Sequence, residues 1–490
     1  MINKISTDLL TEVIFPQLEI KDIIIIGSLN KSFNRIVNDY GFRNHHDRIY
    51  IIYKLYDPNY NYGNLKVDTY TSSLDDRSLK SLHEITISQK MPNNIYKNID
   101  KILDVPNVII AATNYNLFSP SNCKPGLYIN TSIFSRPNNI RNLVLKSTDI
   151  IDVSNLGNIH TLDLSYTQVS DVTALSRVYD LNLTNTKVTD VSALSRVHTL
   201  DLSHTPVTNV SALGGVHTLI LKSTQVTDVS ALGGVHILDL SYTRVTDVSA
   251  LGGVHTLNLC YSLVTEVSAL GRVHNLNVSF TWVTDVSALG GVYNLNLCYS
   301  HVTDVSALGG VHDLDISYSR VTDVSALSRV HTLNLSDTNI TDVSALSHVH
   351  TLILRSTKVT DIKALGNAHI LSLNNTNVTD VSELHNVYQL DISYTRVTDV
   401  SALGRVYNLN LRGTSVTDVS MLDSVYELNL SRTNVTDVSG LTKVRVLDIS
   451  YSNITDVSML KNLHTIYVSK ENLSDARELN PNLKIKTRDY

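Results

Sequence analysis

The stretch VHILDLSYTRVTDVSALGG, Val235 to Gly253, decides the architecture. His236 to Ser241 alternates apolar and polar residues, the period of a short strand with Leu238 and Leu240 turned inward. Thr243 stands where a turn begins, and Val245 points back to the core. Asp247 precedes Val248-Ser249-Ala250-Leu251, and an aspartate ahead of a short apolar turn reads as an N-cap. Gly252 and Gly253 are read as the bend that returns the chain to the next strand.

The stretch recurs. Leucine stands at 143, 162, 181, 200, 219 and every nineteenth position through Leu447, before Ile466 takes the slot. One such unit buries only one edge, so stability must come from stacking unit on unit around a continuous aliphatic core.

These residues resemble the leucine-rich-repeat family, in particular its internalin-like class with units LxxLxLxxNxIxDIxxLxxL. The resemblance covers about residues 140–485, with Leu238, Leu240, Val245, Asp247, Val248 and Leu251 on the family's core positions. It implies an α/β repeat solenoid with parallel strands on one face. Two departures stand out: the unit is shorter than usual, and the family's ladder asparagine is a hydroxyl residue here (Thr167, Thr243, Ser262, Thr433). A hydroxyl replaces only part of that asparagine's hydrogen bonding.

Four segments follow: 1–40, helical; 41–140, an irregular linker with degenerate early repeats such as Leu82-His-Glu-Ile-Thr-Ile and Leu127-Tyr-Ile-Asn; 141–470, regular repeats; and 471–490, a C-terminal cap. In the cap Asp475 and Leu479 keep the period, and Asn480-Pro481-Asn482 breaks it before Leu483-Lys-Ile-Lys. Lysines and a nearby proline suit an exposed terminal edge.

In residues 1–40, Ile5, Leu9, Leu10, Val13, Ile14 and Leu18 are spaced for one side of a helix. Asp22 then precedes Ile23 to Ile26, Leu29, Phe33 and Ile36. With Asp8 and Lys31, this order resembles an F-box, although Ser6 replaces the usual proline and one residue is inserted near Pro16. The resemblance implies docking onto a Skp-type adaptor of a cullin ubiquitin ligase through Leu9, Leu10, Val13, Ile14, Leu18, Ile23, Leu29 and Phe33, while the repeats select a target protein. The alternative is a helical pair that only covers the first repeat's core edge. The domain order and the composition also resemble F-box/repeat proteins of giant DNA viruses that infect amoebae.

The chain has 490 residues, 42% hydrophobic and 18% charged, with a formal net charge of -6. No basic face is implied, which argues against nucleic acid as partner. The longest aliphatic run near the start, Ile23 to Ile26, is too short to span a bilayer. Cys260 and Cys298 lie two repeats apart, roughly 10 Å at strand spacing, too far to bridge. A reduced intracellular protein is expected, cytoplasmic (host cytoplasm if viral), monomeric by itself and without a cofactor.

Core positions are set by packing, so function is sought in the exposed columns. The Asp column (Asp152, Asp171, Asp190, through Asp456, with Asn209 and Glu266 as exceptions) reads as turn capping, with calcium binding as the lesser alternative. The column from His160 to His464 holds 11 His, 5 Tyr and Arg445. No Cys or carboxylate interrupts it, so no metal is expected there. The central strand column (Asp163, Asn182, Asp201, Asn258, Asn277, Asn296, Asp315) suggests ladder hydrogen bonding and a mildly acidic surface. A fourth column carries Tyr242, Tyr261, Phe280, Tyr299 and Tyr318 in five successive repeats, beside the variable Arg244, Leu263, Trp282, His301 and Arg320. Aromatics flanked by arginine have the composition of binding hot spots; the competing reading is a ladder that only stabilises the surface. No catalytic motif is found, and Cys123 has no partnered histidine nearby in sequence.

Overall fold

The computed structural model describes residues 64–67, 84–87, 109–112, 142–147, 150–469 and 483–488. It divides into two units, 1–235 and 236–490. Within each, one three- or four-residue strand per repeat pairs in parallel with the next. In the first unit Leu143, Leu162, Leu181, Leu200 and Leu219 stand in register. In the second the same column runs from Leu238 and Leu257 to Ile466 and ends on Ile485 of the strand Lys484–Thr487. The leucines and valines of the period are buried throughout. Side chains alternate across the strand, so the central leucine faces inward while its two neighbours stay half-exposed.

Opposite the strand the chain closes each unit with a tight turn. Leu251 N–H donates to Val248 O at 2.9 Å, and Val254 N–H to Leu251 O at 3.0 Å, which are i to i−3 bonds. The expected α component is therefore corrected: among the described residues the helical pieces are 3-10 turns of three to five residues, such as Thr173–Leu175 and Ser249–Gly253. Nineteen residues must form a strand, two corners and the return, which leaves length for a single turn of the tighter helix. The glycine reading is corrected too. Gly252 does not have a positive φ; instead, a Cβ there would lie 2.5 Å from the carbonyl oxygen of Ala269. Close approach of the next repeat, not a bend, is what favours glycine at this position.

The corner after the strand carries the unusual backbone. Tyr242, Tyr261, Phe280, Tyr299 and Tyr318 have φ between 54° and 59°, and Asp337, Ser356 and Asn375 between 55° and 57°. Left-handed backbone costs an L-residue about 1–2 kcal/mol, so each repeat must impose it. Two bonds do so. The strand-end Asn258 accepts the Cys260 N–H at 3.1 Å, two residues on, and Tyr242 N–H donates to Cys260 O at 2.9 Å in the next repeat. The hydroxyl in place of the family's asparagine then closes the corner: Thr167, Thr243 and Thr433 donate to the carbonyls of Leu164, Leu240 and Leu430 at 2.6–2.7 Å. Ser262 lies in the same place, but its hydroxyl is buried without a partner; its N–H donates to Leu259 O at 3.0 Å.

Ahead of the regular repeats, the strands Asn64–Val67, Glu84–Ile87 and Ile109–Ala112 pair in parallel and lead onto Asn142–Val144. The central residues Leu65, Ile85, Ile110 and Leu143 thus form one column at unequal sequence steps. Glu84–Ile87 lies in the Leu82-His-Glu-Ile-Thr-Ile segment, whereas Asn64–Val67 and Ile109–Ala112 were not distinguished by period. The segment Leu127-Tyr-Ile-Asn, Asp475, Leu479 and the F-box-like residues 1–40 lie outside the described residues. At the other end Lys486 Nζ donates to the Tyr467 hydroxyl at 3.2 Å, and the Arg488 guanidinium stands 4.5 Å from the Tyr467 ring centre and 3.1 Å from the buried Asp448 carboxylate. These cations cover the last regular repeats at the sheet edge.

Candidate functional site

The left-handed corner projects its side chains outward, and five consecutive corners place rings on one another. Ring centres are separated by 4.6 Å for Tyr242–Tyr261, 4.2 Å for Tyr261–Phe280, 4.4 Å for Phe280–Tyr299 and 4.1 Å for Tyr299–Tyr318, with interplanar angles of 8–16°. Trp282 and His301 form a second, parallel stack at 4.7 Å. Arg244, Leu263 and Arg320 are exposed in that same outer column. The structure therefore brings together all ten residues singled out from the sequence: Trp282 is 61% exposed, Leu263 49%, and only Phe280 and His301 are half-buried.

Stacking covers the faces of the inner rings, so a partner meets ring edges and a row of phenol hydroxyls. Burial, and then the neighbouring Tyr242, holds the Tyr261 phenol above its ordinary value. At the end of the run the nearby Asp337 carboxylate, and then Tyr299, push the Tyr318 phenol up to about 12. The Tyr261 and Tyr318 hydroxyls stay protonated donors across the physiological range. Corner tyrosines elsewhere have cationic neighbours: Lys146 lies 5.3 Å from the Tyr166 ring centre, Arg412 5.9 Å from Tyr394 and Arg432 5.3 Å from Tyr451. They share the corner position with the run, but only the five consecutive aromatics form an uninterrupted stack.

A family model described as Leucine Rich repeat matches residues 440–461. The repeat geometry and this match agree. The chain carries the leucine-rich-repeat fold. Among solved structures it is similar to a Leptospira interrogans LRR protein (18% identity, 73% of this chain and 99% of that one, TM-score 0.54). It is also similar to TLR13 in its complex with ssRNA13 (16% identity, 83% and 74%, TM-score 0.56) and to an internalin from Listeria monocytogenes (20%, 65% and 89%, TM-score 0.41). A search of curated protein sequences finds no match. No catalytic family is indicated by these likenesses.

The other columns of this leucine-rich-repeat array have local roles. Each aspartate before the 3-10 turn accepts the N–H two residues on, as Asp285 does from Ser287 at 2.9 Å. This backbone bond, then the serine hydroxyl, holds the Asp285 carboxyl below its ordinary value. Asn209 and Glu266 keep the same bond at 3.0 and 2.9 Å, so the position selects an acceptor, not a charge. The central strand column forms one bond of the expected cross-strand ladder, Asn334 Nδ2 donating to Asp315 at 3.1 Å, but its general role is local: Asp163, Asn182, Asp201, Asn258, Asn277, Asn296 and Asp315 all turn back to accept an N–H of their own chain two residues on. The reason is that the strand ends there, and the side chain caps its exit into the left-handed corner.

The His/Tyr column is a continuous stack within each unit, for example His274–Tyr293 at 4.8 Å and Tyr293–His312 at 4.5 Å. Burial, and then the histidines on either side, holds His255 and His350 below the ordinary imidazole value. Taken alone, the column has no carboxylate. The residue after His312 supplies one, Asp313, and parallel pairing adds His331 beside the two, a grouping that a reading by single columns misses.

Proposed function

We propose that this chain is a protein-binding module that grips its partner with the ring run Tyr242–Tyr318 and the adjacent Trp282–His301 stack. The observation that carries the reading is the run itself. The corner conformation disfavours bulky side chains, yet five successive repeats place a ring there, next to the chain's only tryptophan. Tyrosine and tryptophan lose little conformational entropy on contact and offer area and hydrogen bonds together. Arg244 and Arg320 supply charge at either end of the outer column.

In the fuller form of the proposal, the chain is the substrate receptor of an SCF-type ubiquitin ligase. Residues 1–40 dock a Skp-type adaptor through Leu9, Leu10, Val13, Ile14, Leu18, Ile23, Leu29 and Phe33, and the repeats hold the target. The setting proposed is the cytosol, where the thiols Cys260 and Cys298 stay reduced. Support for the adaptor step is the F-box-like spacing of these residues. The second reading, an interaction scaffold without ubiquitin chemistry, rests on the ring run alone and asks nothing of residues 1–40.

Capture of a Skp-type adaptor by the full chain separates the two. Binding that is lost in both Leu10→Asp and Leu29→Asp supports the receptor; binding indifferent to both, or absent from the start, leaves the scaffold. Trp282→Ala combined with Tyr261→Ala should remove the target from a cytosolic capture while the adaptor stays bound. An unchanged set of captured proteins would exclude the ring run as the contact surface.

A further inference from the structure

Among the described residues, one cluster of metal-ligand side chains comes together: His312, Asp313 and His331. It stands apart from the ring run, at the edge where the stacked His/Tyr column meets the strand face. The parallel register explains how it forms. Asp313 pairs with Thr332 of the next strand, so the residues just before each, His312 and His331, also become neighbours, with ring centres 4.6 Å apart. Three repeats place a carboxylate directly after this column: Asp180 behind Tyr179, Asp313 behind His312 and Glu427 behind Tyr426. Only at 312–313 is the preceding ring an imidazole, and the next ring is an imidazole too.

The distances suit one ion. His312 Nδ1 and an Asp313 carboxylate oxygen lie 3.1 Å apart, close to the separation of two atoms that share a metal at about 2.0–2.2 Å. Yet His312 Nδ1 is buried and makes no aligned hydrogen bond, so the oxygen lies beside the ring nitrogen's axis and not along it. A hydrogen-bond acceptor prefers to lie along that axis. A second ligand of the same metal lies off it by roughly 35–45°, since ligand–metal–ligand angles are near the tetrahedral or octahedral values. The third ligand atom, from His331, is within 4.8 Å of the other two, which puts a common centre about 2.8 Å or less from all three. His331 is exposed, so its ring is free to tilt out of the stack, leaving its 3.3 Å contact with the Thr332 hydroxyl, and turn a nitrogen towards the ion.

We propose that His312, Asp313 and His331 form a binding site for a borderline divalent cation of the zinc class, with its remaining position open to solvent or to a partner's side chain. Two imidazoles and one carboxylate are the donor set of open zinc sites; a magnesium-like ion prefers oxygen ligands and is not expected here.

Titration of metal-free full-length protein with Zn2+, followed calorimetrically, tests the site. One equivalent should bind, with affinity reduced tenfold or more in Asp313→Asn and in His331→Ala. His255→Ala removes an imidazole from the same stack where the following residue is Thr256, and should leave that equivalent unchanged. Mg2+ should give no binding heat. Circular dichroism of each variant, whose altered residue is outside the core, shows whether the repeats stay folded. No zinc binding, retained affinity in Asp313→Asn, or equal losses in His255→Ala would overturn the site; equal losses would assign any binding to the imidazole column as a whole.

Discussion

The corners at Tyr242 to Tyr318 and those at Asp337, Ser356 and Asn375 have the same backbone and different side chains. Both sets adopt left-handed φ and lie over the same leucine core; the first follows a strand-end Asp or Asn in every repeat, the second only at Asn334, with Ile353 and Ser372 ahead of Ser356 and Asn375. In the first, rings stack at 4.1–4.6 Å; in the second, short polar groups occupy the corner, with Asn375 donating to the Ser356 hydroxyl at 3.0 Å. The repeat therefore decides the conformation and leaves the side chain free. Side-chain identity is free there and still runs aromatic five times in succession, which is the ground for the proposed contact surface.

The comparison can be broken first at the core, where the two stretches should not differ. Leu257→Ala and Leu352→Ala each empty a fully buried site and should each cost about 2–5 kcal/mol, read as a lower urea midpoint. A much smaller cost in either stretch would mean the two are not equivalent scaffolds. Next comes the surface itself. Replacing the five rings by the Asp, Ser and Asn residues of the second stretch should weaken target capture tenfold or more with little change in melting temperature. Parallel loss of fold and capture would show that the rings are structural only.

Phe280 sharpens the point at a single residue. Phe280→Gly removes roughly 1–2 kcal/mol of left-handed strain and two ring stacks of about 0.5–1.5 kcal/mol each, so stability should move by no more than about 2 kcal/mol either way. Phe280→Val loses both stacks and keeps the strain, and should be the less stable of the two by urea titration; the reverse order would remove the strain argument. Gly413 is the natural precedent, with φ 67° and the Tyr394 ring laid against it.

The smallest expected effects are those of pH, and they separate two exposed columns. His255 and His350 have folded values below the unfolded one. The unfolded chain thus takes protons first, and their contribution is complete above about pH 6.5 and lost as pH falls through the lowered folded value. The turn aspartates, such as Asp285 and Asp342, are also lowered, from 3.8; their contribution is present above that value and lost only at lower pH. Melting temperature against pH should therefore decline in two separate windows. His350→Gln should flatten the upper one and Asp342→Asn the lower one. A single acid transition untouched by both changes would contradict the assignment.

The leucine period made the strands, their parallel order and the buried columns legible, because a 19-residue recurrence permits one stacking register. The stacked ring run was legible too, through its five consecutive aromatics. The left-handed corner was not. Glycine or asparagine usually marks such a backbone, and here only Asn185, Asn375 and Gly413 hint at it among tyrosines, serines and aspartates. The strand-end Asp/Asn column was legible only in part, in the Asn334–Asp315 ladder bond: alternation predicts where a side chain points, not that it will turn back to cap its own chain. Asp313 escaped because the residue that completes its cluster, His331, is distant in sequence and close only through strand pairing.

By itself, then, the sequence determined the repeat, the core and the list of exposed candidates, because hydrophobic periodicity is a local property that stacking merely amplifies. Tertiary structure decided which exposed groups meet. It stacked the five rings, turned the corners into a conformation most of their residues do not prefer, and set a second imidazole beside the His312–Asp313 pair. Those outcomes depend on register between strands, and register is a relation between repeats that no single repeat contains.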